Sequence, residues 1–391
     1  MEDIDSTIAL CDKVVLYNVP VCDVLDLESL ETQGIVTVNR SSAAGLVLTS
    51  SGEAFSSLTL DKCALFDAFS VRAGKKDGYP YIYSRLELSI DRGDGTFNLR
   101  CWTIDEIKER LREIERYLSD EWGILIDTNC SKFKTIEVNR TLQLDESYPS
   151  YVRPLRTMFQ LLPKGKRKNM SEVGGDEHKT FYAGATREII KAYDKTNQIN
   201  LKIKTSNLEI SLIDEQYLRF ELTLNSRKIV DEFGSNEVIR ITDDAINSYF
   251  DDFIRKNVAL RWESFKQQRE KQLKKVIREE WKKSESHFVE NLLLRAFNEE
   301  DKTGLPLIMD VDEVKPLLKS IIPKDAQRRR RLYKRILVKC AQNYGEKFVK
   351  NDGLKMEELI DKLARKKHHK SDTPLKVGSA LEQSGFDDVF A

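Results

Sequence analysis

Thr180-Phe181-Tyr182-Ala183-Gly184-Ala185-Thr186-Arg187-Glu188-Ile189-Ile190-Lys191-Ala192-Tyr193-Asp194-Lys195-Thr196 reads as two strands folded around a Gly-Ala-Thr turn. Side chains alternate across a strand, so Ile189, Lys191 and Tyr193 share one face, with Lys195 two residues further on the same side. A phenol between two ammonium groups favours its phenolate. The same cations hold a phosphate nearby, as a nucleophile attacking a phosphodiester requires. Downstream, Tyr217-Leu218-Arg219-Phe220-Glu221 sets Arg219 and Glu221 on one face, a phosphate donor beside a candidate metal ligand. The plainer alternative makes Tyr193 a packed strand residue and Arg219–Glu221 an ordinary salt-bridged pair.

Working outward, Ile35–Val38, Tyr81–Leu88, Thr135–Leu142 and Tyr217–Leu224 are rich in β-branched and aromatic residues and largely alternate in polarity. Gly93-Asp94-Gly95 is a turn signal ahead of a further strand, Phe97–Trp102. Thr103–Leu118 carries Ile104, Ile107, Leu111, Ile114 and Leu118 at helical spacing, and Thr103-Ile104-Asp105-Glu106 fits a capping box. From about Ile241 the period turns helical. Residues 257–298 hold no Gly or Pro and place Trp262, Phe265, Leu273, Val276, Trp281, Phe288, Leu292, Leu293 and Phe297 along a stripe that reads as core or oligomer seam. Gly304-Leu305-Pro306 breaks it, and 312–319, 326–342 and 354–367 read as shorter helices. The expected fold is α+β: an antiparallel-sheet domain over 1–255, a mainly α-helical region over 256–370, and a loosely ordered tail over 371–391.

The 391 residues are 40% hydrophobic and 33% charged, enough for more than one core and too ordinary for wholesale disorder. No stretch approaches the ~18 apolar residues of a membrane span, and the acidic start Met1-Glu2-Asp3-Ile4-Asp5 is unlike a signal peptide. The expectation is a cytoplasmic protein with no membrane partner. Six scattered cysteines read as reduced thiols. Lys+Arg and Asp+Glu balance at 64 each, yet they are segregated. Three runs are basic: Lys164-Gly165-Lys166-Arg167-Lys168, Arg328-Arg329-Arg330-Arg331 followed by Lys334 and Arg335, and Arg365-Lys366-Lys367-His368-His369-Lys370. Each alone reads as a solvated helical face. Together, with Tyr333 and Tyr344 among them, they point to nucleic acid. No P-loop, HExxH, histidine pair on a strand or Gly-x-Ser-x-Gly elbow occurs, which argues against a P-loop ATPase, a zinc hydrolase and a serine hydrolase.

Ala192-Tyr193-Asp194-Lys195 and Leu218-Arg219-Phe220-Glu221 resemble two blocks of the replication initiator (gene II) proteins of filamentous phages and their plasmid and prophage relatives. There a Tyr-x-Lys strand is followed by a Leu-x-Arg-Phe-Glu strand; here no spacer separates Leu218 from Arg219. Tyr79-Pro80, Glu87 and Asn98 resemble the family's Tyr-Pro…Glu…Gly-x-Asn region. Ile136-Glu137-Val138-Asn139-Arg140-Thr141 is similar to its Arg-Ile-Asp-x-Thr strand, with Asn139 where the family has Asp. Arg330–Arg335 resembles a basic-aromatic helix of these proteins.

The resemblance implies a rolling-circle initiator that nicks one strand of an origin. Tyr193 becomes the nucleophile, flanked by Lys191 and Lys195, and leaves a 5′-phosphotyrosyl link and a free 3′-OH primer. An oxygen-ligated Mg²⁺ or Mn²⁺ is implied, with Glu87, Glu137, Asn139 and Glu221 as candidate ligands. Arg219, Lys164, Lys166, Arg167, Lys168, Arg328, Arg329, Arg330, Arg331, Lys334 and Arg335 become candidate DNA contacts. Implied partners are duplex and single-stranded origin DNA, host replication proteins such as a helicase, and a second copy in a homo-oligomer. The alternatives are a non-catalytic origin-binding protein or replication repressor, and a protein-interaction scaffold.

Overall fold

The computed structural model describes residues 8–40, 46–61, 63–76, 79–89, 99, 101–175, 177–205, 211–298, 308, 311–344 and 352–364. The turn at Gly93-Asp94-Gly95, Asn98, the Gly304-Leu305-Pro306 break, the 365–370 run and the tail lie outside these residues. Backbone proximity divides the chain into two units: Met1–Asp145 with Tyr182–Phe250, and Glu146–Phe181 with Asp251–Ala391. The change of period near residue 255 predicts one α+β domain over 1–255. Residues 146–181 instead cluster with the helical residues, held there by Tyr151 donating to Glu358 at 2.8 Å and by Arg153 against Asp352 at 3.2 Å.

The chain is α+β, an antiparallel sheet with a mainly helical C-terminal region. Among the described residues the main sheet has ten strands. Nine of them are β1 (Leu10–Tyr17), β2 (Val36–Asn39), β3 (Ser57–Leu60), β4 (Ala68–Lys76), β5 (Tyr79–Ser89), β6 (Lys132–Gln143), β7 (Thr180–Ala185), β8 (Glu188–Asp194) and β9 (Tyr217–Asn225). Their spatial order is β7-β8-β9-β6-β1-β5-β4-β3-β2. The polarity alternation seen in the sequence becomes two unlike faces. Val14, Leu16, Leu86, Leu88, Ile136, Val138, Leu222 and Leu224 form the apolar one, none more than 3% exposed. Burial of each contributes roughly 1.5–3 kcal/mol. The opposite face carries the polar residues singled out above.

The β7–β8 hairpin turns at Thr186-Arg187 rather than at Gly184. Gly184 is needed for another reason: its φ is +110°, and a Cβ there would lie 2.2 Å from the Glu188 carbonyl oxygen. Helix α1 (Ile104–Trp122) follows the expected capping box. Thr103 Oγ1 accepts from the Glu106 amide at 3.1 Å, and the Thr103 amide donates to Glu106 Oε2 at 2.8 Å. Its stripe of Ile104, Ile107, Leu111, Ile114 and Leu118 is buried.

In the second unit the helix Leu260–Lys283 follows a π turn at Arg255–Ala259. Leu273, Ile277, Phe288, Leu292, Val314, Leu317 and Ile336 form its core, so the stripe from Leu273 to Leu293 is spent within the unit. The helices Phe288–Asn298, Val314–Leu318, Ala326–Tyr344 and Asp352–Leu363 complete it. Among the described residues, no helix is long and apolar enough to cross a membrane.

Candidate active site

Strand register assembles the polar face. β8 sets Lys191 opposite Glu221 and Tyr193 opposite Arg219 on β9; β9 in turn sets Glu221 opposite Asn139 and Arg219 opposite Thr141 on β6. Opposed residues of an antiparallel pair share a face. β6 then pairs with β1, placing Glu137 opposite Lys13. A register shift between Cys11 and Lys13 leaves Asp12 as an extra residue of β1, and this bulge brings its carboxylate onto the polar face. One oxygen each from Asp12, Glu137 and Glu221 lies within 4.8 Å of the other two.

Every charged group here has a partner. The Tyr193 hydroxyl donates to Glu221 Oε2 at 3.4 Å. Lys191 Nζ donates to Glu221 Oε1 at 2.5 Å and stands 3.6 Å from Glu137. Arg219 is fully buried. It donates to Asp12 at 2.8 Å, to Thr141 Oγ1 at 3.0 Å and to the Leu99 carbonyl at 3.3 Å.

Charge crowding shifts the ionisations. Burial pushes the Glu137 carboxyl up to about 7, and the neighbouring Glu221 carboxylate adds to the shift against the pull of Lys191. Burial alone would lower the Lys191 ammonium, but Glu221 and Glu137 hold it above its ordinary value. Three carboxylate oxygens in this spacing are hard donors that could hold a metal ion.

Four expectations change, those for Lys195, Tyr193, Lys191 and Glu87. Lys195 does not continue the strand past Tyr193. Asp194 Oδ1 accepts from the Asn197 amide at 2.9 Å, an N-cap that ends β8 and starts helix α2 (Lys195–Thr205). Lys195 is buried there, donates to Gln198 at 2.9 Å, and falls to about 7 through burial and the nearby Arg219. The Tyr193 phenol is pushed up, not down: burial outweighs the attraction of Arg219, and Glu221 and Asp12 add to the rise. Lys191 is spent on carboxylates instead of the phenol. Glu87 stands outside the three-carboxylate group, paired with Lys13 at 3.7 Å and with Arg85. Asn139 is buried opposite Glu221 and donates to Cys101 Sγ at 3.2 Å.

Asp12 is the residue sequence reasoning missed. Its only signal was an acid beside a lysine in a mostly apolar strand, Leu10-Cys11-Asp12-Lys13-Val14.

The expected DNA-contact residues divide. Arg219 belongs to the buried centre. In the helix Ala326–Tyr344, Arg328 binds Glu285 and lies over the Trp281 ring at 5.1 Å, Arg329 caps the Ile322 carbonyl at 2.6 Å, and Arg335 pairs with Glu290 at 2.7 Å. Arg330, Arg331 and Lys334 are exposed and have no carboxylate partner among the described residues. Arg167 donates to the Gln160 carbonyl at 3.0 Å, and Lys166 lies over the Phe253 ring at 5.6 Å. Lys164 and Lys168 are exposed. Sequence reasoning also passed over the outer face of Leu260–Lys283, where Lys271, Lys274, Lys275, Arg278 and Lys282 surround a cleft of about 330 Å³.

No family model matches the chain, and no curated protein matches it.

Proposed function

We propose that this chain is a metal-dependent DNA strand transferase with a tyrosine nucleophile, acting as a rolling-circle replication initiator. One observation carries the reading. The Tyr193 hydroxyl points at Glu221, and Glu221 is one of three carboxylates grouped within 4.8 Å. Asp12, Glu137 and Glu221 would hold Mg²⁺ or Mn²⁺. Such an ion neutralises charge developing on a non-bridging phosphate oxygen.

The rest is done by the chain itself. Glu221 Oε2 accepts the Tyr193 proton as Oη forms a bond to phosphorus and the bond from phosphorus to the 3′ oxygen breaks. The 5′ side remains as a phosphotyrosyl ester, and the 3′ oxygen leaves as an alkoxide that takes a proton from water to become the hydroxyl. Lys191 and Arg219 orient Glu221 and Asp12 respectively, so the acceptor is fixed before the strand arrives.

The test is relaxation of a supercoiled plasmid that carries this gene with its flanking DNA, in Mg²⁺ or Mn²⁺. Wild-type protein relaxes it; Tyr193→Phe does not, while its gel-shift affinity stays within about two-fold. A non-catalytic origin binder is the second reading, favoured by the raised Tyr193 phenol. Wild-type protein that binds this DNA and never relaxes it supports that reading instead.

A further inference from the structure

The polar face continues past the carboxylate group to a groove of about 620 Å³ on β1, β4, β5 and β6, all within the first unit. Arg72 lies opposite Tyr83, and Arg85 lies opposite both Ser70 and Tyr17. Lys134 completes the cationic wall. Tyr83 is 46% exposed, and Arg72 and Lys134 are exposed with no carboxylate partner among the described residues. The Tyr17 hydroxyl accepts from Asn236 at 2.9 Å. The groove therefore combines two exposed cations and a half-exposed aromatic ring between guanidinium groups.

We infer that this groove binds single-stranded nucleic acid, with a base stacked on Tyr83 and flanking phosphates on Arg72 and Lys134. Cations alone would suit any polyanion. A ring exposed between them adds a stacking platform, which only unpaired bases can use. The choice of occupant rests on the strand-transfer reading. A row of charges runs from that centre towards the groove: Lys191–Glu137, then Lys13–Glu87, then Glu87–Arg85. Strand spacing and rise put Glu221 roughly 24 Å from Arg85. A single strand covers that with no more than about seven nucleotides.

The experiment uses the full chain and a fluorescein-labelled oligothymidylate in metal-free buffer, read by anisotropy. Arg72→Glu combined with Lys134→Glu lowers affinity at least about ten-fold. It also makes the log–log salt slope shallower by about 1.4, at about 0.7 per phosphate of a single strand. Tyr83→Ala lowers affinity about five-fold or more with the slope unchanged. All three side chains are substantially exposed, so melting temperatures stay near wild type and confirm the fold.

Wild-type affinity in the double variant overturns the inference. So does an equal loss of affinity for the matching dT·dA duplex. The two readings fail separately. If wild-type protein never relaxes DNA yet the variants show these losses, the strand-transfer reading falls and the groove stands. If it relaxes DNA and the groove variants bind and relax as wild type, the groove falls.

Discussion

The two ends of the polar face handle charge in opposite ways. At the carboxylate end, Lys191 and Arg219 are matched to Glu221, Glu137 and Asp12 within hydrogen-bonding or ion-pair distance, and Arg219 has no solvent exposure. At the groove end, Arg72 and Lys134 stand exposed with no acid paired to them among the described residues. Matched, buried charges define one geometry and tolerate little change. Unmatched, exposed charges wait for a mobile polyanion and tolerate much. A centre that breaks a phosphodiester needs the first property, and a surface that feeds a strand to it needs the second.

The largest effect should come from the nucleophile. Tyr193→Phe removes one oxygen and leaves the ring, so relaxation of supercoiled DNA should fall by at least about a thousand-fold. Melting temperature should barely move, because the lost hydrogen bond is long at 3.4 Å. Residual relaxation near wild type would assign the chemistry elsewhere.

Asp12→Asn should come next, with a double penalty. It weakens the ion site and strips a buried guanidinium of its anion, a loss of about 3 kcal/mol in urea unfolding. Glu221→Gln should reduce Mn²⁺ affinity by about ten- to a hundred-fold in calorimetry. If Asp12→Asn and Glu221→Gln bind Mn²⁺ as wild type does, the three-carboxylate site is wrong.

The pH dependence is smaller and has a definite sign. Glu137 titrates near 7 in the folded chain against an ordinary 4.5. Its contribution to stability is therefore complete below about pH 4.5 and is lost as pH rises through 7. Lys195 moves the other way, to about 7 from 10.5, so its contribution is present above about pH 10.5 and is lost as pH falls through 7. Metal-free melting temperature should pass through a local minimum near pH 7, and Glu137→Gln should flatten the acid side of it. Mn²⁺ affinity should rise from pH 6 to pH 8 as the Glu137 proton leaves. An affinity independent of pH would place Glu137 outside the ion site.

Glu87→Gln should do least. Its partners Lys13 and Arg85 are half-exposed, so the ion pairs contribute under about 1 kcal/mol, and Mn²⁺ affinity should stay within about two-fold.

Strand period and the two motif blocks made much of this legible. Alternation in 81–88, 135–142 and 217–224 placed the strands, and Tyr-Asp-Lys with Arg-Phe-Glu marked the two that carry Tyr193 and Glu221. What stayed hidden depends on register. Asp12 reaches the polar face only through a bulge, which no local pattern announces. Glu87 pairs with Val15 while Glu137 pairs with Lys13, one step along the strand, and that offset removes it from the cluster. The turn at Lys195 had a signal in Asp194, a good N-cap residue placed just after a strand. The raised Tyr193 phenol had none, since it follows from burial and from charged groups remote in sequence, Asp12 among them.

The most direct measurement is covalent capture. Protein is mixed with Mn²⁺ and the supercoiled plasmid, quenched in denaturant, and digested with nuclease and protease before mass spectrometry. The account predicts a nucleotide esterified to the peptide containing Tyr193. A nucleotide on another residue such as Tyr249, or relaxed plasmid with no adduct on any peptide, would contradict it.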